Sequence, residues 1–93
     1  MKMKKYHSVW DALEGFPEEA ANMKVRAELM ITLQERVKRQ AGSQAEKAEK
    51  LGLSQPRLND LLRGRLTKFS LDALVNIASR AGLKVDLHVR KAA

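Results

Sequence analysis

The sequence predicts an all-α domain of five helices that ends in one short β-strand. Three observations lead to this prediction. Apolar residues recur at helical spacing along most of the chain, serine residues stand where helices would begin, and the last residues alternate between apolar and polar side chains. The chain has 93 residues, of which 44% are hydrophobic, and this is enough for one hydrophobic core. We therefore treat residues 1–93 as a single domain.

Serine and glycine residues mark the predicted helix ends. A serine hydroxyl that precedes a helix accepts a hydrogen bond from a free backbone N–H of the first turn. The predicted N-cap residues are Ser8, Ser43, Ser54 and Ser70. Ser43 and Glu46 together have the spacing of a capping box. The glycines that follow predicted helices, where a left-handed backbone is common, are Gly15, Gly42, Gly64 and Gly82.

The predicted helices follow one another with short connections. They cover about residues 9–14, 17–40, 44–51, 55–63 and 71–81. The second helix begins at Pro17, a residue that suits the first helical turn. Its apolar side chains at four-residue spacing, which predict a buried face, are Val25, Leu29, Leu33 and Val37. On the fifth helix one face carries Leu71, Leu74, Val75 and Ala78.

Residues 83–90 change to a two-residue repeat, which predicts a half-buried strand. Its apolar members are Leu83, Val85, Leu87 and Val89. A single strand cannot satisfy its own backbone and needs a partner. The candidates are the same strand of a second copy, an extended segment around residues 3–6, or a strand of another protein. We favour a homodimer in which these four residues form the interface, because symmetric self-association is the commonest oligomeric arrangement.

Composition excludes several classes of function. The chain has no cysteine and only two histidines, far apart, so we expect no disulfide, no thiol nucleophile and no metal site. No serine lies beside a histidine and a carboxylate at catalytic spacing, so we expect no catalytic residue, no cofactor and no enzyme activity. We find no apolar run of membrane-spanning length and no secretory signal, and we therefore expect a cytoplasmic protein.

The positive charge of the chain points to a polyanion. The formal net charge is +7, and residues 36–93 hold 13 basic against five acidic side chains. Aromatic residues make up only 4% of the chain, which disfavours the stacking surfaces of proteins that bind single strands. Duplex phosphate, an acidic protein or a membrane surface remain as partners for a basic domain of this kind.

Residues 43–64 have the layout of a helix-turn-helix. Ala48 is small enough for the two short helices to cross closely, and Gly52 suits the tight turn between them. The predicted wedge between these helices consists of Leu51, Leu53, Leu58 and Leu61. An ordinary helical hairpin also uses a glycine and leucines. The combination of small residue, turn glycine, following apolar residue and new serine cap within 22 residues favours the DNA-binding motif.

This window resembles the helix-turn-helix of the phage-repressor family, also called XRE or Cro/C1-like. The resemblance is closest at residues 54–64, Ser-Gln-Pro-Arg-Leu-Asn-Asp-Leu-Leu-Arg-Gly, and extends over roughly residues 20–82. Segments 8–13, 24–29, 69–75 and 81–85 are similar to the subgroup of HigA-like antitoxins. One departure is Lys47, at a place where the family usually has an apolar residue, so the first short helix would pack less tightly or be rotated.

The second short helix is the predicted recognition helix. Its exposed N-terminal part carries Gln55, Arg57 and Asn59, whose side chains match the base edges of the major groove. Ser54 and Pro56 lie in the same turn, and Gln44 matches a glutamine that family members place near the DNA backbone. The basic residues expected to neutralise phosphates are Arg63, Arg65 and Lys68.

Two alternatives concern the recognition helix. The whole face could be an ordinary solvated surface, on which Arg57 and Asp60 pair with each other. Asp60 could instead accept a hydrogen bond from a cytosine amine, or hold Arg57 or Arg63 in place. The sequence does not choose among these roles.

The resemblance implies a dimeric repressor that binds double-stranded DNA at a palindromic operator. The antitoxin subgroup further implies repression of its own operon and neutralisation of a RelE-like toxin, without a membrane partner. One alternative is a stand-alone prophage-type regulator without a toxin. Another is a protein-interaction adaptor whose terminal strand extends the sheet of a partner.

Overall fold

The computed structural model describes residues 17–92. These residues form four α-helices and one short 3-10 helix, in the order α1 (Pro17–Arg39), α2 (Gln44–Leu51), α3 (Gln55–Leu62), the 3-10 helix (Leu66–Lys68) and α4 (Leu71–Arg80). The predicted all-α class is confirmed, and each of the four α-helices ends within one residue of its predicted bounds. The helix predicted for residues 9–14 lies outside the described residues. The sequence pattern did not predict the 3-10 helix.

The prediction of five helices closed by a C-terminal strand is wrong. The structure has four α-helices in the described residues, and residues 83–92 have no regular secondary structure. Leu87 and Val89, which the alternating pattern placed on a half-buried face, are 81% and 83% exposed. Alternating apolar and polar residues give a segment one apolar face, but a strand also needs a neighbouring strand to pair with its backbone. No other segment of residues 17–92 forms a strand beside the tail.

The hydrophobic core lies between α1, α4 and the two short helices. Its buried members are Met30, Leu33, Val37, Ala48, Leu51, Leu58, Leu61, Phe69, Leu74, Ile77, Ala78 and Ala81. Val25 is 44% exposed although it belongs to the predicted four-residue repeat, because the buried stripe of α1 passes through Met30 instead. No helix within the described residues is both long and apolar enough to cross a lipid bilayer.

Long polar side chains of α1 hold the ends of the other elements. The Gln34 side-chain amide donates to the carbonyl oxygens of Leu61 and Leu62, at 3.0 and 3.3 Å, where α3 ends. Arg36 donates to the carbonyl oxygen of Ala81 at 3.0 Å, just beyond α4. The last carbonyl groups of a helix have no partner within the helix. Gln34 therefore holds the end of α3 against α1, and Arg36 holds the end of α4 against α1.

Serine caps define the starts of three helices as predicted. The hydroxyl groups of Ser43, Ser54 and Ser70 each accept a hydrogen bond from the backbone N–H three residues later. Ser43 and Glu46 form both bonds of a capping box. Ser8 lies outside the described residues. Because these bonds are local, they set the helix bounds independently of the tertiary packing.

Gly52 ends α2 in the left-handed region, with φ of 70° and ψ of 30°. Replacing Gly52 by Ala is expected to lower the free energy of unfolding by about 1 to 2 kcal/mol, because an L-residue is strained in this conformation. An added Cβ would also lie 2.7 Å from Nη1 of Arg80, but that flexible group can move away. Urea unfolding measures the loss. Gly52→Asn is the control: asparagine tolerates the left-handed backbone, so equal losses for both variants would contradict this explanation.

Candidate nucleic-acid interface

Helices α2 and α3 are joined by a three-residue turn and packed through a shared apolar wedge. The backbone N–H of Leu53 donates to the carbonyl oxygen of Ala48 at 2.8 Å, which closes the turn. Ala48 and Leu51 of α2 are buried, as are Leu58 and Leu61 of α3. Lys47 is half-buried, yet Ala48 and Leu51 of α2 still insert their side chains into the core. The geometry is that of a helix-turn-helix.

The N-terminal part of α3 presents polar side chains to solvent. Ser54, Gln55, Pro56 and Asn59 are exposed, while the opposite side of the helix faces the core through its leucines. The Ser54 hydroxyl accepts from the backbone N–H of Arg57 at 3.2 Å. This bond fixes the first turn of α3, so the amides of Gln55 and Asn59 stand one turn apart on a rigid element.

Arg57 is bound to the protein itself. Its Nη1 donates to the backbone carbonyl oxygen of Lys68 at 2.6 Å, and its guanidinium carbon lies 4.2 Å from the centre of the Phe69 ring. The side chain is half-buried. The sequence predicted Arg57 as a base-reading residue and did not predict these contacts. They tie α3 to the segment that follows it, and they leave fewer of the guanidinium donors for any other partner.

Asp60 has a different ionic partner from the two that the sequence suggested. Its Oδ1 lies 3.7 Å from Nε of Arg65. Within the described residues, no ion pair joins Asp60 to Arg57 or Arg63. The Asp60 and Arg65 side chains are 21% and 48% exposed, so this pair contributes little to stability.

Basic side chains cluster at the end of α3 and in the 3-10 helix. Arg63, Arg65 and Lys68 are all exposed. The backbone of this segment is held in place by Arg26 of α1, whose Nη1 donates to the carbonyl oxygens of Leu66 and Phe69 at 3.2 and 3.0 Å. The cations therefore stand on a backbone that Arg26 holds against α1.

The start of α2 combines an amide side chain with an ionised carboxylate. Gln44 is exposed at its first residue, next to the capping box. The Glu46 carboxylate accepts from the backbone N–H of Ser43 at 2.7 Å, and this hydrogen bond lowers the pKa of Glu46 below its usual range. Glu46 and Glu49 line a groove together with Gln55. The lowered pKa keeps the Glu46 carboxylate ionised at neutral pH.

Sequence reasoning missed Arg26 and Gln34 as positioning residues. Both belong to α1, and both reach carbonyl groups about 27 to 43 residues away in the chain. The sequence did contain a sign of this role. Arg26 and Gln34 each lie four residues from the buried Met30, so both are polar residues on the apolar face of α1. Such a residue needs a buried partner, although the sequence alone does not say which.

Within residues 17–92 no three side chains of the metal-ligating types come together. The exposed surface instead combines two amide side chains on α3 with a group of cations beside its C-terminal end.

A model of a protein family described as a helix-turn-helix domain matches residues 14–90, which is well over half of the chain. The match includes α1 to α4 and most of the tail. A comparison with curated proteins gave no match.

Proposed function

We propose that this chain, which belongs to the helix-turn-helix domain family, is a transcriptional repressor that binds double-stranded DNA at a specific operator. The family supports a DNA-binding regulator. The proposal of a sequence-specific repressor rests on one observation: the two ends of α3 carry different kinds of exposed side chain. Exposed amides at its start can pair with base edges, and exposed cations at its end can neutralise phosphates.

Each surface residue has a distinct part in this proposal. Gln55 and Asn59 read bases in the major groove, since their side-chain amides match the donor and acceptor of adenine. Ser54, Pro56 and Gln44 lie against the DNA backbone. Arg57 acts mainly by positioning, because it connects α3 to Lys68 and Phe69. The proposed phosphate contacts are Arg63, Arg65 and Lys68.

We further propose that the protein binds as a homodimer. Val85, Leu87 and Val89 are exposed apolar residues of the tail, and self-association would remove them from water. Leu83, which was also predicted at the interface, instead packs against the core of its own chain. In such a dimer two α3 helices about 34 Å apart would meet successive turns of the major groove of a palindromic operator.

The resemblance of the flanking segments to HigA-like antitoxins supports one further proposal. The protein represses its own operon in the cytoplasm and neutralises a RelE-like toxin encoded beside it. Co-expression with the product of the adjacent reading frame tests this part. Co-purification of the two chains is expected, and a promoter that binds this chain without any such partner would favour a stand-alone regulator.

Replacing Arg63 by Gln is expected to weaken binding to all duplexes alike. Each phosphate contact that is lost reduces the magnitude of the negative slope of log K against log salt by about 0.9. Fluorescence anisotropy of a labelled promoter duplex and a shuffled duplex, each titrated at several salt concentrations, measures both quantities. Lys24→Gln removes the same charge from an exposed position of α1 and is expected to leave the slope unchanged. Binding without salt dependence would overturn the proposed function.

A further inference from the structure

The 3-10 helix after α3 has little structure of its own to fix its position. It spans three residues, no side chain caps its start, and none of Leu66, Thr67 and Lys68 is buried. Its own backbone bonds run from the N–H groups of Lys68 and Phe69 to the carbonyl oxygens of Arg65 and Leu66, at 3.0 and 3.2 Å. Such short segments have poorer hydrogen-bond geometry than α-helices, and segments with few buried contacts open most easily. The position of this helix therefore depends on contacts with other elements.

Two arginines from different helices supply these contacts. Nη1 of Arg26, on α1, donates to the carbonyl oxygens of Leu66 and Phe69. Nη1 of Arg57, on α3, donates to the carbonyl oxygen of Lys68. Three carbonyl groups of residues 66–69 thus accept hydrogen bonds from guanidinium groups, and Arg26 supplies the bonds to both ends of this segment.

The guanidinium group of Arg26 is itself oriented by its own helix. Asn22 lies one turn earlier on α1, and its Oδ1 accepts from Nε of Arg26 at 2.7 Å. The planar guanidinium therefore uses Nε for α1 and Nη1 for the segment after α3. A lysine side chain has a single nitrogen and cannot make this set of bonds.

We propose that Arg26 is a positioning residue for DNA binding. It does not touch DNA, but it holds residues 66–69 where Lys68, and Arg65 just before them, contact phosphates. This inference rests on the proposed function, because Arg26 affects DNA binding only if these cations bind phosphate. It gives α1 a part in affinity for any duplex and no part in base reading, which belongs to Gln55 and Asn59.

Replacing Arg26 by Gln tests the proposal. The magnitude of the negative slope of log K against log salt is expected to fall by about 0.9 to 1.8, because one or two phosphate contacts are lost. The preference for the promoter over a shuffled duplex is expected to remain. Fluorescence anisotropy at several salt concentrations measures both. A smaller folded fraction alone would lower log K equally at every salt concentration, so the slope separates lost positioning from lost stability.

Three further variants serve as controls. Arg36→Gln removes the same charge and a carbonyl bond of the same 3.0 Å from α1, but the acceptor is Ala81, so the slope is expected to stay unchanged. Arg26→Lys keeps the charge without the set of bonds, and the slope is expected to fall as in Arg26→Gln. Asn22→Ala removes only the group that orients Arg26. A smaller fall is expected, and this variant replaces Arg26→Gln if circular dichroism shows the latter to be unfolded.

Hydrogen exchange reports on the segment itself. In Arg26→Gln the backbone amides of Lys68 and Phe69 are expected to exchange severalfold faster than in the unaltered protein, since their bonds no longer stand on a held backbone. In Arg36→Gln their exchange is expected to stay the same.

The outcomes distinguish this inference from the proposed function. If the unaltered protein shows salt-dependent binding while Arg26→Gln and Asn22→Ala keep its slope, Arg26 has no positioning role and the proposed function stands. Recovery of the full slope by Arg26→Lys would mean that Arg26 acts through its charge, which also overturns the inference. A flat slope in the unaltered protein would remove the proposed function and the role of Arg26 together.

Discussion

Replacing Phe69 by Ala is expected to lower the free energy of unfolding by about 3 to 5 kcal/mol. Phe69 is 1% exposed and is among the largest fully buried side chains of the core. It lies between the 3-10 helix and α4, so its removal leaves a cavity where these elements meet α1. Domains of this size are stable by about 5 to 15 kcal/mol in total. Urea unfolding followed by circular dichroism is expected to show a variant near the limit of folding.

The Phe69 ring also contacts the Arg57 guanidinium. A second variant separates the loss of core packing from the loss of this contact. Phe69→Leu keeps an apolar side chain in the core, and it is expected to cost about 1 to 3 kcal/mol. A double-mutant cycle with Arg57→Met measures the coupling between guanidinium and ring, for which about 0.5 to 2 kcal/mol is expected. If Phe69→Ala cost less than about 1 kcal/mol, the core described above would be wrong at this position.

Local signals in the sequence were enough to predict the four α-helices of residues 17–92. The Ser43, Ser54 and Ser70 hydroxyl groups bond to backbone three residues away, so their effect can be read within a few positions. The same holds for Gly52, whose positive φ ends α2. The leucines of α2 and α3 were predictable as a wedge because both helices are short and adjacent. The all-α class and the helix-turn-helix geometry therefore followed from contacts of short range, whereas the predicted strand did not form.

Contacts of long range were not predictable in the same way. Arg57 donates a hydrogen bond to the carbonyl oxygen of Lys68, 11 residues away in the chain. Asp60 forms an ion pair with Arg65, and not with Arg57 or Arg63 as the sequence suggested. Whether an arginine reads a base or holds a loop depends on the path of the chain after α3, which no local pattern specifies. The tail shows the limit most clearly. Its alternation at residues 83–90 is a property of the side chains, whereas a strand requires a hydrogen-bonding neighbour.

The double variant Gln55→Ala, Asn59→Ala is expected to lose most of its preference for its own promoter over a shuffled duplex. Each amide that pairs with a base edge contributes about 1 to 3 kcal/mol of discrimination, or about 5-fold to 150-fold in relative affinity. Both residues are exposed on α3, and neither has a side-chain hydrogen bond to the described residues. The variant should therefore fold normally. Competition anisotropy with the two duplexes measures the preference.

The comparison with Arg63→Gln identifies which step of recognition is affected. Loss of Arg63 removes a phosphate contact and is expected to weaken both duplexes equally, whereas loss of the two amides is expected to weaken only the promoter. Arg57→Gln should weaken both and also lower stability, since Arg57 holds the segment that carries Lys68. If the amide double variant kept its full preference while Arg57→Gln lost it, base reading would belong to Arg57, and the recognition surface would have to be rebuilt around that guanidinium.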